Sequence, residues 1–419
     1  MHQPARACGL DFGTSNSSIG WLRPGEPTLL ALEDGRPTLP SAVFFNADED
    51  SISYGRAALA EYLDGYEGRL MRALKSLLGS SLIDSRTEVL GRSLSFRDLL
   101  ASFIGELKLR AESRAGRSFE EVVLGRPVHF VDNDATADRQ AQDTLEEIAR
   151  KAGFREVSFQ FEPIGAAMHY ERSLATEELV LIADIGGGTA DFSLVRLSPE
   201  RAASAHRADD LLGNAGIHIG GTDFDRALNL ACVMPLLGYR SVMKNGREIP
   251  SGIFFQLATW HTINFAYGRQ SWVDLQHIYR DATAREELDR LSRLVSKREG
   301  HWLALQVEQS KIALSSAPST TLQLDRIAPD LVQPITRDEF IEATHILTER
   351  VGACVCSLLD DAGIGRDHVN TIYFTGGASG MPQLRARIAA QLPNARCVEG
   401  DLYGSIGAGL AVEAARRYG

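Results

Sequence analysis

Ile182-Ala183-Asp184-Ile185-Gly186-Gly187-Gly188-Thr189-Ala190-Asp191 decides how this chain is read, because a near copy stands close to the N-terminus as Gly9-Leu10-Asp11-Phe12-Gly13-Thr14-Ser15-Asn16. Each copy gives an acid, an apolar residue, a glycine, and then glycine or a hydroxyl. Without a Cβ in the way, consecutive N–H groups can turn inward and form a concave anion nest. The carboxylate and hydroxyl beside each nest suit the hydrated metal that accompanies a nucleotide phosphate. A Walker loop would need Gly-Lys-Ser/Thr and a helix, and a Rossmann turn would need its third glycine at a helix start. Instead Ala190-Asp191-Phe192-Ser193-Leu194-Val195 alternates and continues as a strand, as does Ser17-Ser18-Ile19-Gly20-Trp21-Leu22. Either loop alone could be a plain turn; the pair predicts a duplicated nucleotide clamp with phosphate loops at hairpin tips.

Composition sets the outer bounds. With 419 residues, 44% of them hydrophobic, the chain can fill at least two cores. No apolar run reaches membrane length and Met-His-Gln-Pro-Ala-Arg lacks a signal-peptide core, so a soluble cytoplasmic protein is expected. A net charge of -11 argues against nucleic acid as a partner. The five cysteines lack zinc spacing, and Cys354 and Cys356 on a helix would point about 200° apart, which favours reduced thiols over a metal pair.

Along the chain the pattern is two α/β halves, each with an insertion. Thr38 to Phe45 is extended, residues from about Tyr54 to Arg114 read as mostly helical, and Glu121 to Val128 reads as a buried strand. An amphipathic helix follows from about Ala135 to Ala152, with Ala141, Leu145, Ile148 and Ala152 on one face and Gly153 at its end. The strand Val157 to Phe161 leads into Glu162-Pro163-Ile164-Gly165-Ala166-Ala167. In the second half, Gly220-Gly221-Thr222-Asp223-Phe224-Asp225 opens a helix, with Thr222 and Asp225 spaced as a capping box. Residues from about 234 to 306 lack clear strands and hold three of the four tryptophans. A helix follows Thr336, with Glu339 three residues on and a stripe of Phe340, Ala343, Leu347, Val351, Cys354 and Leu358. The strand Thr371 to Phe374, the turn Thr375-Gly376-Gly377-Ala378-Ser379-Gly380, a helix near Pro382 and the small-residue helix entered at Gly404-Ser405-Ile406-Gly407-Ala408-Gly409 complete the chain.

This order of segments resembles the nucleotide-binding half of the DnaK-type, seventy-kilodalton heat-shock chaperones, within the actin and sugar-kinase ATPase superfamily. The matching segments are Gly9 to Ser17, Ala73-Leu74-Lys75-Ser76-Leu77-Leu78-Gly79, Glu162 to Ala167, Ile182 to Asp191, Gly220 to Asp225, Glu308 to Ser315, Thr375 to Pro382 and Gly404 to Gly409. In length and insertion the chain is most similar to the short, stand-alone YegD-type branch. The resemblance implies an α/β, duplicated actin-like (ribonuclease H-like) fold with two lobes around a nucleotide cleft. Lobe I would be residues 1–178 with an inserted subdomain at about 34–115. Lobe II would be 179–401 with an enlarged helical insertion at about 233–306, and 402–419 would be a closing helix returning to lobe I.

By the same resemblance, Asp11, Asp184 and Asp191 stand around Mg, and Thr14 and Thr189 face the phosphates. Lys75 lies near the γ-phosphate and Glu162 beside the connecting hinge, so the catalytic set is Lys75, Glu162, Asp184, Thr189 and Asp191. Nucleotide contacts fall to Asp11, Gly13, Thr14, Ser15, Asn16, Gly186, Gly187, Gly188, Gly220, Gly221, Glu308, Lys311, Ser315, Gly376, Gly377 and Ser379. Pro127 and Arg139 match a relay pair, with a strand-ending proline and a surface arginine as the alternative reading. Ile312 and Gly380 replace the two arginines that sandwich adenine in the family, which predicts weaker adenine binding and weaker discrimination between ATP and GTP. No apolar linker or β-rich peptide-binding domain is expected after the closing helix. The expectation is an ATP-binding, slowly hydrolysing chaperone-like protein using ATP/ADP and Mg, with a protein client or co-chaperone as partner. A nucleotide-sensing module with little turnover and a small-molecule kinase of the same fold are the alternatives.

Overall fold

Two compact units divide the chain: Met1–His218 with Val351–Gly380 and Ala386–Gly419, and Ile219–Arg350 with Met381–Arg385. The structure, a computed structural model, describes residues 7–26, 28–131, 134–202, 208–401 and 404–419.

In the first unit β1 (Ala7–Phe12) turns through residues 13–15 into β2 (Asn16–Gly20), and β3 (Thr38–Pro40) adds antiparallel to β2. A small sheet follows, built from β4 (Ala42–Asn46), β5 (Ser51–Tyr54) and, after α1 (Gly55–Leu63), β6 (Gly68–Arg72). Two 3-10 turns, Leu74–Leu77 and Ser81–Asp84, lead to the hairpin β7 (Arg86–Val89) and β8 (Arg92–Ser95) and then to α2 (Phe96–Ala115). The expected mostly helical stretch from Tyr54 to Arg114 thus holds two helices separated by short strands. Those strands are four or five residues long, too short to announce a period of two; β6 is set by pairing with β4, and β7 and β8 by their own two-residue hairpin turn. β9 (Glu121–Arg126) and β10 (Glu156–Phe161) join on the other side of β1, both parallel to it, with α3 (Ala135–Lys151) between them and α4 (Glu162–Glu171) after. The sheet order is β10-β9-β1-β2-β3.

The same plan is then repeated. β11 (Glu178–Ile185) forms a hairpin with β12 (Ala190–Leu197), and β13 (Leu211–Ile217) follows the short helix α5 (Pro199–Ala202) and adds antiparallel. Two later strands extend the other side in parallel, giving β13-β12-β11-β16-β17, where β16 is Thr371–Thr375 and β17 is Arg396–Glu399. Read from its opposite edge, this is the order and direction pattern of the first sheet. A helix follows the fifth strand of each copy: α4 in the first, α13 (Ser405–Tyr418) in the second. α13 packs on β1 and β9, and α4 packs on β11 and β12. The two helices also meet each other so closely that a Cβ on Gly409 would lie 1.7 Å from the Gly165 carbonyl oxygen. This is the duplicated actin-like ATPase fold.

The second unit is mainly helical. It holds α6 (Gly221–Leu228), α7 (Gly252–Ala258), α8 (Arg269–Asp281), α9 (Arg285–Ser296), α10 (Gly300–Ser316), the hairpin β14 (Ser319–Gln323) and β15 (Val332–Thr336), and the first part of α11 (Arg337–Asp361). Thr336 and Glu339 cap α11 reciprocally: the Glu339 N–H donates to Thr336 Oγ1 at 3.2 Å, and the Thr336 N–H donates to Glu339 Oε2 at 2.8 Å. The buried stripe of α11 includes Phe340, Thr344, Thr348, Val351 and Leu358, whereas Ala343 and Leu347 are half-exposed. Thr344 and Thr348 enter the interior because their hydroxyls donate back to the Phe340 and Thr344 carbonyls. The small helix α12 (Pro382–Ala389) starts at Pro382 as expected. Among the described residues no helix is long and apolar enough to cross a membrane.

Candidate functional site

In the first unit the two hairpin tips face one another. A Cβ on Gly187 would lie 2.3 Å from Ser15 Oγ, and one on Gly188 would reach Thr14 Cγ2 at 3.8 Å. The first tip is tight: a Cβ on Gly13 would meet the Asn16 carbonyl oxygen at 2.2 Å. The second closes on itself through the Gly186 N–H, which donates to the Thr189 carbonyl at 2.9 Å. Thr189 Oγ1 donates to Asp191 Oδ2 at 2.8 Å, fixing the hydroxyl beside the nest. Across the hairpin Asp184 stands opposite Asp191.

Gly376 opens the turn after β16 with φ +79°, a left-handed backbone, and its missing Cβ makes room for Asp184 Oδ1, which a side chain there would approach to 2.5 Å. Ser379 is buried and spends its hydroxyl on the Gly376 carbonyl at 2.7 Å, so it shapes this turn. Gly377 and Gly380 begin and end a 3-10 turn, and Gly380 is not among the positive-φ glycines.

Lys75 sits on the 3-10 turn Leu74–Leu77, preceded by Ala73 in a left-handed conformation (φ 54°, ψ 39°). Its ammonium donates to Glu162 Oε1 at 2.5 Å, and Glu162 is the buried first residue of α4. Burial pulls the Lys75 ammonium down, but Glu162, Asp11 and Asp184 outweigh it and hold the group above the usual lysine value. Burial, then the Glu162 charge, pushes the Asp11 carboxyl up to about 7 against the pull of Lys75. Asp184 is raised well above the ordinary range, by burial first and then by Glu162, Asp191 and Asp11. Asp11, Glu162 and Asp184 therefore crowd the Lys75 ammonium, and Asp191 stands behind Asp184. Among the described residues, no group of three or more His, Cys, Asp or Glu side chains is arranged to ligate one ion directly.

The remaining candidates lie in the second unit. Lys311 is buried; its ammonium donates to Asp225 Oδ2 at 2.9 Å and to the Gly221 carbonyl at 3.1 Å. This pair overturns the expected Thr222–Asp225 capping box. Gly220 is the N-cap of α6, Asp223 Oδ2 accepts from its N–H at 3.0 Å, and Asp225 is turned inward to Lys311. Ser315 is half-buried and donates to the Lys311 carbonyl at 3.3 Å. Glu308 is half-buried on α10, and Ile312 is 46% exposed. Returning to the first unit, Arg139 lines a cavity of about 780 Å³ with Arg126, Asp138 and Phe161, and the Pro127 carbonyl accepts from Arg126 Nε at 3.0 Å.

Sequence reasoning missed Ser41, whose hydroxyl donates to the Gly13 carbonyl at 2.7 Å. Its partners are 28 and 26 residues away, so no local pattern announces it. The family model described as Hsp70 protein matches residues 80–234 and 273–415, across β7 to α6 and from α8 to α13. With the duplicated sheets and the facing loops in place, the chain belongs to the Hsp70 protein family.

Proposed function

We propose that the protein binds ATP or ADP with Mg at the paired loops and hydrolyses ATP slowly, as a chaperone-like ATPase. The observation that carries this reading is the facing of two glycine tips, in contact at Gly187 and Ser15, beside the carboxylates of Asp11, Glu162, Asp184 and Asp191 and the Lys75 ammonium. The donor set suits a hydrated divalent cation. Acids this crowded resist ionising together, and with no three of them set for direct ligation, a small ion that keeps its waters fits best. Mg, when bound, would neutralise phosphate charge and order water.

Each residue then has a defined task. Loop N–H groups of residues 13–16 and 187–189 hold phosphate oxygens, while the Gly186 N–H closes the second loop on the Thr189 carbonyl. Glu162 aims the Lys75 ammonium at the charge that grows on the transferred phosphoryl group. Asp184 and Asp191 accept hydrogen bonds from the attacking water, and Thr189, tied to Asp191, keeps that carboxylate in place. In the second unit Lys311 fixes the start of α6 through Asp225. The repeated sheet order supports reading residues 1–178 and 179–401 as two lobes, and the packing of α13 on β1 supports a closing helix that returns to the first.

Thermal unfolding and phosphate release test the reading together. A rise in melting temperature at millimolar Mg-ATP with slow phosphate release supports it, and no shift overturns the binding. A shift without turnover would make the protein a nucleotide-sensing module. Release only in the presence of a small hydroxylated acceptor would make it a kinase.

A further inference from the structure

The loop after β1 has no regular structure, so something outside it must set the direction of its peptide planes. Ser41, 1% exposed at the junction of β3 and β4, meets it twice. Its Oγ donates to the Gly13 carbonyl at 2.7 Å, and its N–H donates to the Ser15 carbonyl at 2.9 Å. Ser17 Oγ lies 3.0 Å from Ser41 Oγ, and Ser17 is equally buried. A hydroxyl has one hydrogen. Since Ser41 gives its hydrogen to Gly13, Ser17 is the donor in the second contact and holds the Ser41 hydroxyl in its working rotamer.

A trans peptide carries its C=O and the next N–H on opposite sides of one plane. Drawing the Gly13 carbonyl toward Ser41 therefore turns the Thr14 N–H away, and drawing the Ser15 carbonyl does the same to Asn16. The Ser41 side is closed by buried hydroxyls, whereas residues 13–16 are half-exposed on the other, where Ser15 Oγ lies against Gly187 of the second loop. We propose that Ser41 is a positioning residue for phosphate binding: it locks two peptide planes of the first loop with their N–H groups facing the ligand. This rests on the nucleotide reading above. Without the lock, either plane can rotate and present a carbonyl oxygen, which repels an anion.

The test compares wild type, Ser41→Ala and Ser17→Ala, each titrated with Mg-ADP and with adenosine in competition with a fluorescent ATP analogue. Ser41→Ala is expected to weaken Mg-ADP by about tenfold, close to the worth of one hydrogen bond to a fixed partner, and adenosine by less than about twofold. Ser17→Ala is expected to show a smaller loss in the same direction. An equal loss for both ligands would make Ser41 a merely structural serine, and an unchanged ADP affinity would remove it from the site; either result overturns the lock and leaves the nucleotide reading standing. Wild-type protein that binds neither ligand nor the analogue would overturn the nucleotide reading itself.

Discussion

On the proposed reading, Asp184 serves nucleotide binding at the expense of stability. It is buried, faces Asp191 across the hairpin and is pressed by Glu162 and Asp11, so its ionised form is disfavoured in the ligand-free protein. Asp184→Asn keeps the shape and removes the charge. It should stabilise the ligand-free protein by about 1–2 kcal/mol, the size typical of relieving a strained functional site, while weakening Mg-nucleotide binding. Chemical denaturation with and without Mg-ADP reads both effects, and a destabilised variant would refute the argument. Lys75→Ala should lower phosphate release by about 10² to 10³ while changing ADP affinity less, because the charge Lys75 meets grows in the transition state. Equal losses in rate and affinity would make it a ground-state phosphate binder. The resemblance named these acids and the lysine from contiguous motifs, and the fold brings Lys75 against Glu162 beside Asp11 and Asp184. Ser41 was not legible in the sequence: its importance lies in hydrogen bonds to Gly13 and Ser15, and nothing in Leu39-Pro40-Ser41 shows where those bonds end.

Among the elements, α6 and α10 are joined by the buried Lys311–Asp225 pair, and its energetics differ from those of a surface ion pair. Removing one partner leaves the other charge buried and uncompensated. Asp225→Ala should therefore destabilise the second unit by about 3–5 kcal/mol, whereas Lys311→Met with Asp225→Leu should recover most of that loss. If urea unfolding shows that Asp225→Ala is as stable as wild type, the pair does not hold the two helices. The same pair explains a failure of sequence reading, because Thr222-x-x-Asp225 has the spacing of a cap, yet burial of Asp225 against a lysine outweighs the local preference. Hairpin strands of the two main sheets were legible from alternation and glycine placement. The short strands between Ser51 and Ser95 were not, since each is only four or five residues long: β5 and the β7–β8 pair form in local hairpins, and β6 pairs back on β4.

For the molecule as a whole, acid stability should depend on the closing helix. Glu413 on α13 is fully buried, and burial would raise its carboxyl, but hydrogen bonds from Arg416 and Arg417 outweigh that and hold it below the ordinary glutamate value of 4.5. A lowered folded value means that the stabilisation is complete above the unfolded pKa and is lost as pH falls through the folded one. Glu413→Gln should be less stable than wild type at pH 7, with the difference shrinking below about pH 4.5; a difference that stays constant in pH-dependent unfolding would show that the charge is irrelevant.

The duplication itself was legible, because the two loops repeat one order of residue types. The resemblance gave the return of the closing helix; how closely it meets α4 was not legible, since that is written in what is missing from Gly165 and Gly409. Helices normally interlock through side chains, and each knob seated in a groove resists rotation. Where a Cβ at 409 would fall 1.7 Å from the Gly165 oxygen, α4 and α13 touch through bare backbone. On either side of that point the buried side chains of Ile164, Ile406 and Leu410 interlock in the usual way. The bare backbone works as a notch that sets how near the two repeats can stand, and Gly409→Ala would drive a wedge into it; a melting temperature no lower than that of wild type would show that the repeats are not pinned there.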